Sequence, residues 1–197
     1  MHRIMTVAAA AALALGTAAC KQEGTTVSNN VSGSTDQTDE PGVANLGVAA
    51  APAGMQMDPQ QFAETAAGSD LFEIQSGKLA QQKGSSAAVK SFGGMLVDEH
   101  TKSSNELKAA AAKVPGIALP MLPPPPLQAR IDALEGLQGE AFDRQFIADQ
   151  IASHQQTLAA LNAYAASGTA QPLKEHAARA TGVVQKHLNE LNQMQQQ

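Results

Sequence analysis

The sequence is short of aromatic residues, of cysteine and of basic charge, and each shortage excludes something. Aromatics make up 3% of its 197 residues, with no Trp and one Tyr, although hydrophobic residues in total reach 43%. Alanine inflates that total. An Ala- and Leu-rich core with few aromatic or β-branched side chains suits packed helices rather than a sheet. One cysteine cannot form an internal disulfide, so the fold must be held by its core, and a domain of roughly 140 residues is large enough for that. Lys and Arg number 13 against 18 Asp and Glu, a net charge of −5. Nucleic-acid binding calls for clustered basic residues and usually exposed aromatics, and the chain has neither. Phosphate loop, nucleophile elbow, dinucleotide fingerprint and CxxC pair are all missing. Asp98 and Glu99 are adjacent on an expected helix, so they diverge and do not make the paired carboxylates of an acid–base enzyme. The reading is therefore of a protein that is not an enzyme.

What is present begins with a leader. Met1-His2-Arg3 precedes an apolar run from Ile4 to Leu15, and Gly-Thr-Ala-Ala-Cys follows. A short basic start, an apolar stretch and small residues make a secretory signal over residues 1–19. The apolar run is shorter than the ~20 residues that span a bilayer. Thr17-Ala18-Ala19-Cys20 is similar to a bacterial lipobox, with Thr17 where Leu is usual. Lipidation of Cys20 is expected, and several acyl chains on one residue hold a protein stably at a membrane. The other reading is ordinary cleavage near Ala19, which leaves a free thiol. Lys21 stands where Asp marks inner-membrane retention, which favours the outer membrane, facing the periplasm. Without Arg3 the charge balance is 12 against 18.

Residues 20–57 are rich in Ser, Thr, Asn, Gly and Asp and carry little periodicity, the composition of a disordered tether. Such a coil reaches roughly 30 Å from its anchor. Met55 and Met57 in it read as incidental rather than as copper ligands.

The folded domain is expected over residues 58–197. Asp58 fits an N-cap, Pro59 the first helical position and Gln61 the return bond of a capping box. Helix-period patterns extend from there to about Lys83, from Ser86 to about Lys113, from Glu140 to Ala166 and from Gln171 to Gln195. A short helix is expected at about Leu127–Leu134. Pro123 to Pro126 interrupt the chain, since no helix passes through four prolines. Four amphipathic helices make an all-α, four-helix bundle. About 26 residues join the second long helix to the third, enough to cross the ~39 Å length of such a helix. The two can then run parallel, as in ferritin-like bundles. Gly93-Gly94 in the second helix reads as a close packing point or a kink.

Each long helix carries one ionisable residue on its apolar stripe: Glu73, His100, His154 and His187. Ser69, Ser76 and Ala80 leave room beside Glu73. At 1.5 Å per residue, the crossover topology sets the four at depths of about 15, 21, 19 and 14 Å from one end, a single layer. Three imidazoles and a carboxylate suit one Zn, Cu or Fe ion. The alternative is a Glu73–His salt bridge among hydrogen-bonded core histidines, because buried charges need partners. His176, Asp98 and Glu99 are placed on solvent-facing positions.

Phe72-Glu73-Ile74, Gly77-Lys78-Leu79-Ala80, the run from Val89 through Glu99-His100-Thr101, Phe142-Asp143-Arg144-Gln145-Phe146, His154-Gln155 and His187-Leu188 together resemble the bacterial envelope family labelled domain of unknown function 4142. The resemblance spans about residues 58–195. It implies a ferritin-like helical fold, often exported or lipid-anchored, with no established activity. Many members read Asp-His where this chain has Glu99-His100. Ferritin-like di-iron proteins carry Glu-x-x-His on two helices. Val97 and Val184 stand three before His100 and His187, which argues against a di-iron centre and ferroxidase chemistry. Two functions follow: a non-enzymatic binding or stress-accessory module of the envelope, and a mononuclear metal-binding protein.

Overall fold

The structure is a computed structural model that describes residues 57–196. The leader, Cys20 and all of the tether except Met57 lie outside the described residues. Met57 itself is half-buried and packs against the core, although it stands one residue before the expected start of the folded domain.

Five helices follow one another: α1 (Pro59–Lys83), α2 (Ala87–Ala111), α3 (Pro125–Glu135), α4 (Gly139–Ser167) and α5 (Gln171–Gln195). Asp58 caps α1 by accepting from the Gln61 amide at 2.8 Å, while Gln61 Oε1 accepts from the Asp58 amide at 3.2 Å. Ser86 caps α2 through the Val89 amide. The short helix α3 starts earlier than expected, because Pro125 and Pro126 occupy its first turn. The missing N–H groups of proline have no partner in a first turn anyway, so the run of prolines ends inside the helix instead of before it.

The long helices form a bundle in which α1 neighbours α2 and α4, and α5 neighbours α2 and α4. Their directions follow from two contacts. Gly84, just past α1, pairs with Gly139 at the start of α4. Phe62 at the start of α1 stacks on Tyr164 near the end of α4, with centroids 4.0 Å apart. So α4 begins where α1 ends, and α2 and α4 run parallel, as the crossover reading expects. The connection between them lies along α1. A Cβ on Gly68 would stand 2.8 Å from Pro124 Cδ, and Leu127 and Ile131 of α3 enclose Phe72. Among the described residues, no helix is long and apolar enough to cross a membrane.

The core is divided. One apolar cluster, including Phe62, Leu107, Leu161, Tyr164 and Val184, fills the end near the α4–α5 turn. Another, including Val89, Phe92, Leu96, Phe142, Phe146 and Leu191, fills the opposite end. His100 falls in sequence between Leu96 and Leu107, and His187 between Val184 and Leu191. A polar layer therefore crosses the bundle between two hydrophobic halves.

Candidate metal centre

Three helices supply the centre of that layer. One ring nitrogen from each of His100, His154 and His187 lies within 4.8 Å of the others. The ring centroids are 5.4–5.9 Å apart. Exposure is 4%, 1% and 0%, so the imidazoles are sealed from bulk water.

Each ring is held from behind. His154 Nδ1 lies 2.9 Å from the Gln150 carbonyl, one turn earlier on the same helix. A carbonyl only accepts, so Nδ1 carries the proton. His187 Nε2 lies 2.8 Å from Glu99 Oε2, and an ionised carboxylate also only accepts. His100 Nδ1 meets Asp70 Oδ1 at 2.8 Å in the same way. The nitrogens left over are Nε2 of His100 and His154 and Nδ1 of His187. His154 Nε2 and His187 Nδ1 face each other at 3.3 Å. His100 Nε2 is buried and makes no hydrogen bond.

Electrostatics keep two of the rings neutral. Burial, then the neighbouring His100 and His187, push the His154 pKa down to about 3. Burial and His100 also lower His187, against the pull of Glu99. Burial acts downward on His100 too, but the hydrogen bond and charge of Asp70, helped by Glu73 and Glu99, raise it overall. Glu99 resists its own partial burial because His187 and Lys186 hold its carboxylate below the ordinary value.

Glu73 stands apart from the three converging nitrogens. Its Oε1 accepts from Ser153 at 2.7 Å and lies 3.6 Å from His154 Nδ1, the nitrogen turned away from the centre. Its Oε2 is buried without a hydrogen bond. Burial, only partly offset by His100 and Ser153, raises its pKa to about 7. The four residues expected in one set thus divide into three imidazoles that converge and one carboxylate behind His154.

Two solvent placements are corrected. Glu99 is partly buried against His187, and His176 is 2% exposed; Asp98 is exposed, as expected. His176 lies three residues after Leu173 and eight before Val184, a spacing that puts it on the α5 stripe. Asp70 carries no mark of its own in the sequence, yet it and His100 are equidistant from Ser85. In an antiparallel hairpin, residues equidistant from the turn stand at one height, so the register carried the signal. Glu99 diverges from Asp98 on the helix, and that divergence turns it toward α5.

The family model for the domain of unknown function DUF4142 matches residues 44–194, and the chain belongs to that family. No curated protein and no solved structure matches it.

Proposed function

We propose that this protein is an exported, lipid-anchored binding module that holds one transition-metal ion between His100, His154 and His187. It binds the ion without turning over a substrate. The observation that carries the reading is the facing pair of bare nitrogens. With protons fixed on their outer sides and both rings neutral, His154 Nε2 and His187 Nδ1 present lone pairs to each other at 3.3 Å. Two lone pairs at that distance repel unless a cation lies between them. In a tetrahedral zinc site, ligands about 2.0–2.1 Å from the metal are separated from each other by about 3.3 Å.

The surroundings support the same reading. A ligating His usually donates its other N–H to a carboxylate or a carbonyl, which fixes the tautomer and raises basicity. Asp70, Glu99 and the Gln150 carbonyl stand in those three places. Three imidazoles suit Zn, Cu or Fe. Glu73 lies close behind His154, where it balances charge when it ionises. The leader and Cys20 support export and a lipid anchor, and Lys21 after the cysteine favours the outer membrane, on the periplasmic side.

Elemental analysis tests the reading. The protein, purified without an affinity tag, is exposed in turn to Zn²⁺, Cu²⁺ and Fe²⁺ and desalted. About one ion per chain is expected for at least one metal, and near none in His100→Ala and His154→Ala, since removing one of three protein ligands opens the centre. Sub-stoichiometric metal that neither substitution changes would sink the proposal and leave a hydrogen-bonded histidine core.

A further inference from the structure

We propose that the cleft between α2 and α5 is the path by which a metal ion reaches the three histidines, and that His176 is a relay ligand on that path. The inference rests on the metal-binding reading above. A centre whose imidazoles are 0–4% exposed needs an entrance. A hydrated cation moving inward must exchange its waters for protein donors along the way.

The cleft has a volume of about 390 Å³. It opens where α2 and α5 pack much less closely than the two helical hairpins do. Its inner end reaches one of the three histidines. His100 lines it, together with Asp70 and Glu99, the carboxylates behind His100 and His187. The outer part holds Glu106 and Arg179. Lys102 at the rim is engaged by Glu106 at 3.9 Å. The walls thus carry three carboxylates against two cations on long exposed stems.

His176 singles this cleft out. It lines the cavity, is 2% exposed, and its Nδ1 makes no hydrogen bond. Buried polar atoms are nearly always paired, and one without a partner asks for an explanation. Asp70 and Glu106 are near enough to act on the imidazole electrostatically, as is Arg179 in the opposite sense. An imidazole that shares a cleft with Asp70 and Glu106 belongs to a donor set that takes a divalent ion in passing. Because Asp70 also holds His100, an ion released by His176 is already beside the centre. A relay of this kind changes how fast the metal moves and leaves unchanged how tightly it is finally held.

Stopped-flow mixing of the metal-free full chain with Zn²⁺, followed by a competing chromophoric chelator, tests the path. His176→Ala is expected to load about tenfold more slowly, equivalent to roughly 1.4 kcal/mol on the barrier. Its stoichiometry and equilibrium affinity should match the parent. Stripping by excess chelator must slow by the same factor, because entry and exit share one route. Ala180→Leu, which narrows the cleft without touching a donor, should slow both directions too. His176→Gln and Ala180→Leu carry the test if circular dichroism shows that His176→Ala is misfolded. Parental rates in the folded variants overturn the path. A loss of equilibrium affinity in His176→Ala at an unchanged loading rate also overturns it, since His176 would then belong to the centre. If the parent takes up no Zn²⁺ but retains Cu²⁺ or Fe²⁺, that ion replaces Zn²⁺ as the probe; if it retains none of the three, the metal reading fails and the path fails with it.

Discussion

His154 donates Nδ1–H to a backbone carbonyl that its own helix supplies, so its tautomer is set by local geometry. His100 and His187 rely instead on carboxylates from other helices. The difference matters for pH. Glu73, beside His154, has a folded pKa raised to about 7 from 4.5. A raised carboxylate binds more protons in the folded state than in the unfolded one. The Glu73 contribution to the stability of the metal-free protein therefore falls as pH rises from 4.5 to 7, and its loss is complete above that window. Glu73→Gln keeps an acceptor for Ser153 and removes the charge. Chemical denaturation of the metal-free pair should show no gain near pH 4 and a gain of up to about 3 kcal/mol at pH 8. A difference that does not grow between pH 4 and 8 refutes the buried-carboxylate account. The sequence shows such residues only in part. Glu73 and the three histidines stand out because polar residues interrupt apolar stripes. Asp70 and Glu99 do not, since their roles depend on hairpin register and on which helices are neighbours.

Between residues and the whole lie the helix contacts. Gly77 and Gly93 lie at a close approach of α1 and α2: a Cβ on Gly77 would stand 2.7 Å from the Gly93 carbonyl, and one on Gly93 would stand 2.6 Å from Ala80 Cβ. Gly94 is different, since the nearest atom to its added Cβ is Gln81 Cδ at 3.9 Å. The adjacent glycines therefore have opposite expectations. Gly93→Ala forces the hairpin apart and should destabilise by about 1–3 kcal/mol. Gly94→Ala gains helix propensity and should stabilise by up to about 1 kcal/mol. Thermal or urea unfolding of both reads this directly, and equal effects would refute the close-contact account. Gly93-Gly94 in the sequence signals a packing point without saying which glycine makes it. The long helices were legible because caps and breakers mark their ends: Asp58, Ser86 and Gly168 for example. The start of α3 was less so, because proline both ends helices and opens them.

At the scale of the molecule, the turn between α1 and α2 is tied to the start of α4. Asp143 accepts from the Ser85 and Ser86 amides at 2.9 and 2.8 Å and from Ser85 Oγ at 2.7 Å. Burial alone would raise its pKa, but these bonds hold it below the ordinary value. This tie keeps α4 at the correct end, and so keeps His154 level with His100. The crossover was legible from a loop length, whereas the tie was not, because Asp143 sits in a helix with no sequence mark of its partner.

The chain's only thiol is Cys20, so acylation of Cys20 would leave the protein with no free thiol. A centre built of imidazoles needs none. Cys20→Ser should abolish incorporation of a fatty-acid label and move the protein from the membrane fraction to the soluble one. Metal content and unfolding midpoint should not change, because Cys20 is remote in sequence from the helices that build the centre. Membrane association that persists in Cys20→Ser without label would refute the lipid anchor. A change in metal content would refute the independence of anchor and centre, and would mean that residues before Asp58 bear on the histidines.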